Sequence, residues 1–458
     1  MTDDGLPEDW TIELDPGTRR TDDGHVLIGG SPLRVIRLTD AGARQLDADL
    51  PPRSAGWRRL ARRLVDAGVA NPRPAATDLR AADVAVVIPV RDDADGLRRT
   101  LASIADVGEI IVVDDGSRNP VPAAALRNER PMGPAAARER GWRATTKPMV
   151  AFVDADVELP AGWLTTLLAH LGDPSVAAVA PRIATSRGGS PTWLAAYEAV
   201  RSPLDLGASA GQVRPAGKVP YVPTTALVVR REALESVDGF DVTLHVGEDV
   251  DLVWRLHAHG WRIRYEPGVI ARHPTRSTLA RWVGQRVRYG TSAAPLARRH
   301  GRAVAPLGIS GWSAAAWTAV LFRRPAVAAT IAAATTAALT PKLRGLQHPG
   351  REAVEIAGKG HLRAGRYAAE AVRRTWWPLA LVLAVGRPRT RPALLAAAIV
   401  PPALEWRERR PALDPVRFTA LRLIDDAAYG TGVWLGCWRE RSIRALLPSF
   451  SGPLPPPE

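Results

Sequence analysis

Cysteine is nearly absent. Cys437 is the single one in 458 residues, so no disulfide can close within the chain and a reducing compartment fits. The amino end, MTDDGLPEDW, is acidic and has no apolar core, so no secretory signal is expected there. Lysine is rare in the last third, where nearly every cation is an arginine. Long runs of strongly apolar residues are missing too. Ala303 to Phe322 is uncharged over 20 residues and Pro325 to Pro341 over 17, but Ala and Thr dilute both. Thr375 to Gly386 and Pro392 to Leu404 are shorter.

By length alone the first of these runs could cross a bilayer. Spanning hairpins below a cytoplasmic amino-terminal part would, however, put Arg323-Arg324 and Arg387 to Arg391 outside. That opposes the positive-inside tendency. Interfacial or re-entrant helices, or a soluble helical bundle, fit the charges better. The expectation is a cytoplasmic protein at the inner face of the cell membrane.

The chain is too long for one core, so two or three domains are expected. Apolar content of 46% and charged content of 24% place it among globular proteins. Its net charge of +14 is uneven, because residues 274–458 hold 28 Arg and Lys against 10 Asp and Glu. That segment is therefore +18 and the rest −4. A basic last third suits an anionic partner: a membrane surface, a nucleic acid or substrate phosphates. Arginine usage in a GC-rich genome is the bland alternative.

Residues 1–80 read as a small module. WTIEL (Trp10–Leu14) and HVLIGGSPLRVIRL (His25–Leu38) are strand-like, with a turn signal at Gly29-Gly30-Ser31-Pro32. Thr39-Asp40 opens a helix, and a second fits Ala55 to Ala67 with Gly68 as terminator. The pattern predicts a winged-helix-like fold. It loosely resembles the peptide-chaperone domains of systems that modify ribosomal peptides, and a precursor peptide is the partner this implies. A DNA-binding winged helix and a structural appendage stand beside it. Against DNA, Arg58, Arg59, Arg62 and Arg63 form the lone basic cluster, and acids are dense around it.

From residue 81 strands alternate with helices, which predicts a mostly parallel sheet through about residue 292. DVAVVIPV (Asp83–Val90) leads to Asp92-Asp93, and EIIVV (Glu109–Val113) to Asp114-Asp115-Gly116-Ser117. AFVDADV (Ala151–Val157) carries Asp154 and Asp156, two residues apart and so on one side of an extended chain. Ligands bind beyond the carboxyl ends of strands in such sheets, and three endings in carboxylates make a site. Paired carboxylates there suit a hard divalent cation shared with substrate phosphates. Further on, Glu248-Asp249 opens the helix VDLVWRLHAHG, where acids also serve the helix dipole.

VVIPVRDD, IIVVDDGS, GPAAARERGW and AFVDADV, in this order, resemble the successive motifs of family-two glycosyltransferases of the GT-A fold. The resemblance covers roughly residues 83–290. It implies an α/β, Rossmann-like catalytic core, flanked by the winged-helix-like module and by a helical region over 293–458. It assigns Asp114 to the uracil of a UDP-sugar donor, with Asp92 and Asp115 beside it. Arg138 would lie near the base or phosphates, Asp154 at the ribose, and Asp156 on a Mn2+ or Mg2+ ion. Asp249 would be the base for the acceptor hydroxyl in an inverting transfer, with Glu248 orienting the acceptor. VPTTALVVRR (Val222–Arg231) and Gly239-Phe240-Asp241 match the acceptor side. Gln285-Arg286-Val287-Arg288-Tyr289 resembles the Gln-x-x-Arg-Trp motif of processive synthases, with Tyr289 in place of Trp. There the ring would stack on a sugar and Arg288 would meet the diphosphate; the alternative is a solvated basic helix. His273 reads either as a metal or diphosphate contact or as a loop histidine.

Taken with LDPGTRR, GGSPLRVIRLT and GEDVDLVWRL, the whole architecture resembles the mycofactocin-system family of glycosyltransferases. That implies transfer of glucose from UDP-glucose to a peptide-derived redox cofactor, building a β-linked oligoglucoside. A membrane glycosyltransferase with a lipid-linked or cell-wall acceptor, and a non-enzymatic binder, are the other classes.

Overall fold

VAVVIPV and MVAFV are unbroken apolar runs, the pattern of parallel strands covered on both faces. Val84 to Ile88 and Met149 to Val153 are indeed closed to solvent. Each such large side chain contributes about 1.5–3 kcal/mol on leaving water. The computed structural model describes residues 5–48, 54–104, 107–186, 192–275 and 278–451. The closing GPLPPPE and the first four residues lie outside that range.

Two compact units divide the chain: residues 1–188 with 201–275, and residues 189–200 with 276–457. In the first, an eight-stranded sheet runs in spatial order Gly211–Gln212, Arg262–His273, Val176–Thr185, Ala226–Arg230, Met149–Val153, Val84–Val90, Glu109–Asp115 and Leu126–Asn128. The last four are mutually parallel, and Ala226–Arg230 is antiparallel to both neighbours. Three parallel strands therefore bring Asp92, Asp114-Asp115 and Asp154 to one edge. Helix Pro134–Arg143 lies on two of them, so closely that a Cβ at Gly141 would collide with the Val87 side chain.

Where the sequence predicts a separate winged-helix-like module, the chain forms a three-stranded antiparallel sheet followed by two helices. The strands are Arg19–Thr21, Val26–Gly29 and Arg34–Arg37; Thr11–Leu14 pairs instead with Ala70–Arg73. Helix Asp40–Asp47 is capped by Thr39, and Ala55–Ala67 by Ser54, each side chain accepting a backbone N–H. The second ends on Gly68 at φ 72°, as its position after the last apolar residue predicts.

This module belongs to the same compact unit as the catalytic sheet, and polar contacts join them. Arg62 pairs with Asp173 at 2.7 Å with both side chains buried, and Arg262 clasps Asp66 through two bonds of 2.8 and 2.7 Å. Arg264 Nη2 donates to Asn71 Oδ1 at 3.1 Å, and Lys218 reaches Asp15 at 2.7 Å. Arg58 and Arg62, half of the basic cluster, are thus spent on Glu8 and Asp173.

The second unit is helical. Its boundary falls before residue 279, not at 292, because helix Leu279–Thr291 packs along Pro415–Arg439. The contact is backbone to backbone: a Cβ at Gly432 would collide with the Val287 carbonyl, and one at Gly290 with that of Tyr429. Buried arginines are matched by acids. Arg286 lies between Glu198 and Asp425, and Arg422 among Glu370, Glu405 and Asp426.

The run Ala303–Phe322 does not form one long helix. It breaks into a 3-10 turn, the strand Gly308–Ser310 and the helix Gly311–Leu321, whose 11 residues extend about 17 Å. Pro325–Leu343 is continuous over 19 residues with mean hydropathy 1.2, long and apolar enough to cross a membrane, and only 6% buried.

Candidate active site

The strand ends build the site from local turn chemistry. Asp92, at φ 54°, accepts from Arg118 N at 2.8 Å, and its own N–H donates to Ser117 Oγ at 3.0 Å. Asp93 caps helix Ala94–Ser103. Asp114 is closed to solvent, with its oxygens taking Ser117 N, Val121 N and Arg127 Nη1. Burial by itself would raise its carboxyl, but the Ser117 and Val121 bonds and the Arg127 charge outweigh it and hold the group low. Asp114 here staples its own turn. Asp115 accepts from Met132 N, Gly133 N and Asn128 Nδ2, which fixes the start of helix Pro134–Arg143.

That helix aims Arg138 into the site. Its Nη2 donates to Asp154 Oδ1 at 2.6 Å and its Nη1 to Glu248 Oε1 at 2.9 Å. Burial opposes the guanidinium charge, yet Asp154 and Glu248 more than restore it. The sequence places Arg138 beside a donor's base or phosphates; the structure shows both of its Nη atoms engaged with carboxylates. It is a clamp between the strand end and the Glu248–Ala258 helix. Asp154 is also held by its backbone, N–H to Thr225 O at 3.0 Å, in the segment expected on the acceptor side. Glu139 of the same helix accepts from Phe240 N at 2.8 Å and Trp142 Nε1 at 2.6 Å, tying in the Gly239-Phe240 turn.

Asp249 follows Glu248 in the first helical turn and accepts from Val250 N at 2.8 Å. Burial first, and then the Glu248 charge, push its carboxyl up to about 7. A carboxylate poised there can take a proton near neutral pH.

Asp156 Oδ1 stands 3.4 Å from His273 Nε2. Among the described residues no three ligating side chains gather as a complete metal cage. Two donors this close fit an ion that substrate phosphates and water would complete.

Gln285, Arg288 and Tyr289 lie on helix Leu279–Thr291 of the second unit. Gln285 is buried, its Nε2 donating to the Tyr289 hydroxyl at 3.0 Å and its Oε1 accepting from Arg286 at 3.0 Å. Arg288 is exposed. The arginine turned inward is Arg286.

The profile of glycosyl transferase family 2 matches residues 85–238. Across 474 aligned residues the chain is 41% identical to the pre-mycofactocin glycosyltransferase of Mycobacterium tuberculosis strain H37Rv, covering 98% of this chain and 100% of that one. The chain belongs to the pre-mycofactocin glycosyltransferase family. It is a family-two glycosyltransferase with a GT-A core, as its motifs predict. Among solved structures it is similar to the mannosyltransferase PcManGT from Pyrobaculum calidifontis in complex with GDP-Man and Mn2+, at 19% identity and TM-score 0.38, over 64% of this chain and 88% of that one. It is also similar to glucosyl-3-phosphoglycerate synthase from Mycobacterium tuberculosis with Mn2+, UDP-Glc and phosphoglyceric acid, at 23% identity and TM-score 0.35, over 49% and 85%.

Two parts of this glycosyltransferase site are not foreseen from the sequence. Arg127, the cation on Asp114, sits on a three-residue edge strand with no motif around it. The Glu158–Arg272 bridge, which carries His273 to Asp156, joins segments far apart in sequence.

Proposed function

We propose that the chain moves glucose from UDP-glucose to a small acceptor made from a ribosomal peptide, the mycofactocin redox cofactor. The transfer is inverting and metal-dependent, and its repetition builds a β-linked oligoglucoside. The relative's name supports the acceptor. The observation that carries the mechanism is Asp249, next to Glu248 at the start of its helix and within reach of the charges of the Asp154–Arg138–Glu248 cluster, with its carboxyl pushed up to about 7.

In this reading Asp249 takes the proton of the acceptor hydroxyl as that oxygen bonds to the anomeric carbon. The bond from that carbon to the UDP oxygen breaks on the opposite face, so the configuration inverts. Glu248 orients the acceptor, and Arg138 keeps Glu248 and Asp154 at fixed separation. Asp154 meets the ribose. Asp156 and His273 would hold a divalent ion, which supplies Lewis-acid stabilisation to the departing diphosphate. An imidazole in the donor set favours Mn2+ over Mg2+. The outer edge of Arg34–Arg37, which no strand covers among the described residues, offers backbone groups to an extended precursor peptide.

The test is UDP release by purified protein, with each metal and several UDP-sugars, given the peptide-derived acceptor. Release should need metal, Asp156 and Asp249, with UDP-glucose preferred. Undiminished release by Asp249→Asn would put the chemistry elsewhere. The exposed apolar helices of the second unit favour one other reading, a lipid-linked acceptor; a product that partitions into detergent would select it.

A further inference from the structure

We propose that the second unit docks on an anionic lipid leaflet through two arginine-turned helical hairpins that lie in the interface without crossing it. This rests on the second unit alone and not on the transfer reaction. The first hairpin is Gly311–Leu321 and Pro325–Leu339, packed together and joined at Phe322-Arg323-Arg324. The second is Trp377–Gly386 and Arg391–Arg409, joined through Pro388–Thr390.

Both hairpins pack on helix Pro349–Arg374, and that contact settles which faces look out. His361 pins the first: its Nδ1 meets Ser313 Oγ at 3.0 Å and its Nε2 Thr335 Oγ1 at 2.8 Å. Trp317 Nε1 donates to the His361 carbonyl at 2.7 Å, so this indole is also turned inward. What remains outside is apolar. Trp312 and Phe322 are 63% and 51% exposed on the first hairpin. On the second, Val382 is 71%, Val385 77%, Leu395 60% and Ile399 51% exposed. No residue of Pro325–Leu339 or Trp377–Gly386 is buried. A helix that is apolar all round and buried nowhere lacks a water-facing side.

Charge selects the occupant. Arg323, Arg324, Arg387, Arg389 and Arg391 are exposed at the two turns, in a segment of net +18. A second copy of the same face would set arginines against arginines, whereas lipid phosphates match them. Charge and length together select the mode. Pro325–Leu343 is long enough to cross, but its hairpin partner Gly311–Leu321 reaches only about 17 Å, and Trp377–Gly386 only about 15 Å, against a hydrocarbon thickness of about 30 Å, so each hairpin has one arm too short to span. End-on insertion would carry the arginine turns into hydrocarbon, where guanidinium is costly. Lying flat leaves them at phosphate depth with the valines and leucines among the acyl chains.

The test is flotation of the full chain with phosphatidylcholine vesicles, with and without 30 mol% phosphatidylglycerol. Partition should be at least tenfold stronger to the anionic vesicles. It should fall at least tenfold in Val382→Glu/Ile399→Glu, and also in Arg387→Gln/Arg389→Gln/Arg391→Gln, which leaves the apolar faces intact. Both variants should keep the wild-type circular dichroism and UDP release. Alkaline carbonate should strip the protein from the vesicles. Equal partition to neutral and anionic vesicles, or resistance to carbonate, overturns the proposal. So does a dimer formed without lipid and dissolved by Val382→Glu/Ile399→Glu, which would give this face to a second copy.

Discussion

His273 Nε2 lies 3.4 Å from Asp156 Oδ1 although 117 residues separate them in the chain. The backbone imposes the meeting. Glu158 and Arg272 exchange two main-chain hydrogen bonds, of 2.9 and 2.8 Å, and so bring their neighbours to one place. Asp156→Ala should abolish metal-activated UDP release. His273→Ala should raise the Mn2+ needed for half-activation by no less than the roughly 10–100-fold that loss of an outer-shell partner costs, and narrow the preference for Mn2+ over Mg2+. A metal titration of turnover reads both effects; an unchanged titration in His273→Ala would remove the imidazole from the ligand set.

The Asp249 carboxyl, pushed up to about 7, sets the acid limb of the pH profile. kcat/KM should rise as pH passes through about 7, because the base must be ionised. Glu248→Gln removes the neighbouring like charge and frees Arg138 to act on Asp249, so the limb should move to lower pH.

Stability responds with the opposite sign. An unfolded aspartate ionises near 3.8, while Asp249 in the fold keeps its proton to about 7. Between these values the native state binds the extra proton, and rising pH destabilises it. Asp249→Asn should therefore be at least as stable as wild type at pH 8 while losing about 10²–10⁴-fold in turnover. Thermal melts at pH 5 and 8, set beside the assay, separate the two effects.

Arg138→Met should leave Asp154 and Glu248 without their shared cation. Removing one partner of a buried ion pair costs about 3–5 kcal/mol. Urea denaturation should show that loss, and adding Glu248→Gln should recover part of it.

Gly432→Ala puts a methyl group against the Val287 carbonyl, where neither helix can yield without moving the other. Overpacking of this kind costs about 1–3 kcal/mol, and a lowered Tm should report it. Gly284→Ala, on the same Leu279–Thr291 helix but facing open space, is the control and should not lower it.

What the sequence reveals of this molecule is what neighbouring residues decide. The caps at Thr39 and Gly68, and the strands leading to Asp92, Asp115 and Asp154, are legible because each is fixed within a few positions. The Asp154–Arg138–Glu248 triad is not, since it joins a strand end to two helices through side chains alone. The local bonds of Asp114 are not legible either: the carboxylate that the motif assigns to the donor also accepts from Ser117 N and Val121 N and so shapes its own turn. Run length misleads at Ala303–Phe322, because a charge count is blind to Pro306 and Gly308, where the chain extends before the helix at Gly311. Gln285 pattern-matches a sugar-binding motif, yet its amide is engaged by its own helix.

One strand, Arg262–His273, begins at the amino-terminal module and ends at Asp156. Arg262 and Arg264 are matched to Asp66 and Asn71, and Arg62 to Asp173, across that joint. Replacing the first eighty residues would leave the buried Arg264 without Asn71, on the same ribbon that delivers the metal-side histidine, and the buried Asp173 without Arg62. Neither side of that joint keeps its buried charges matched without the other.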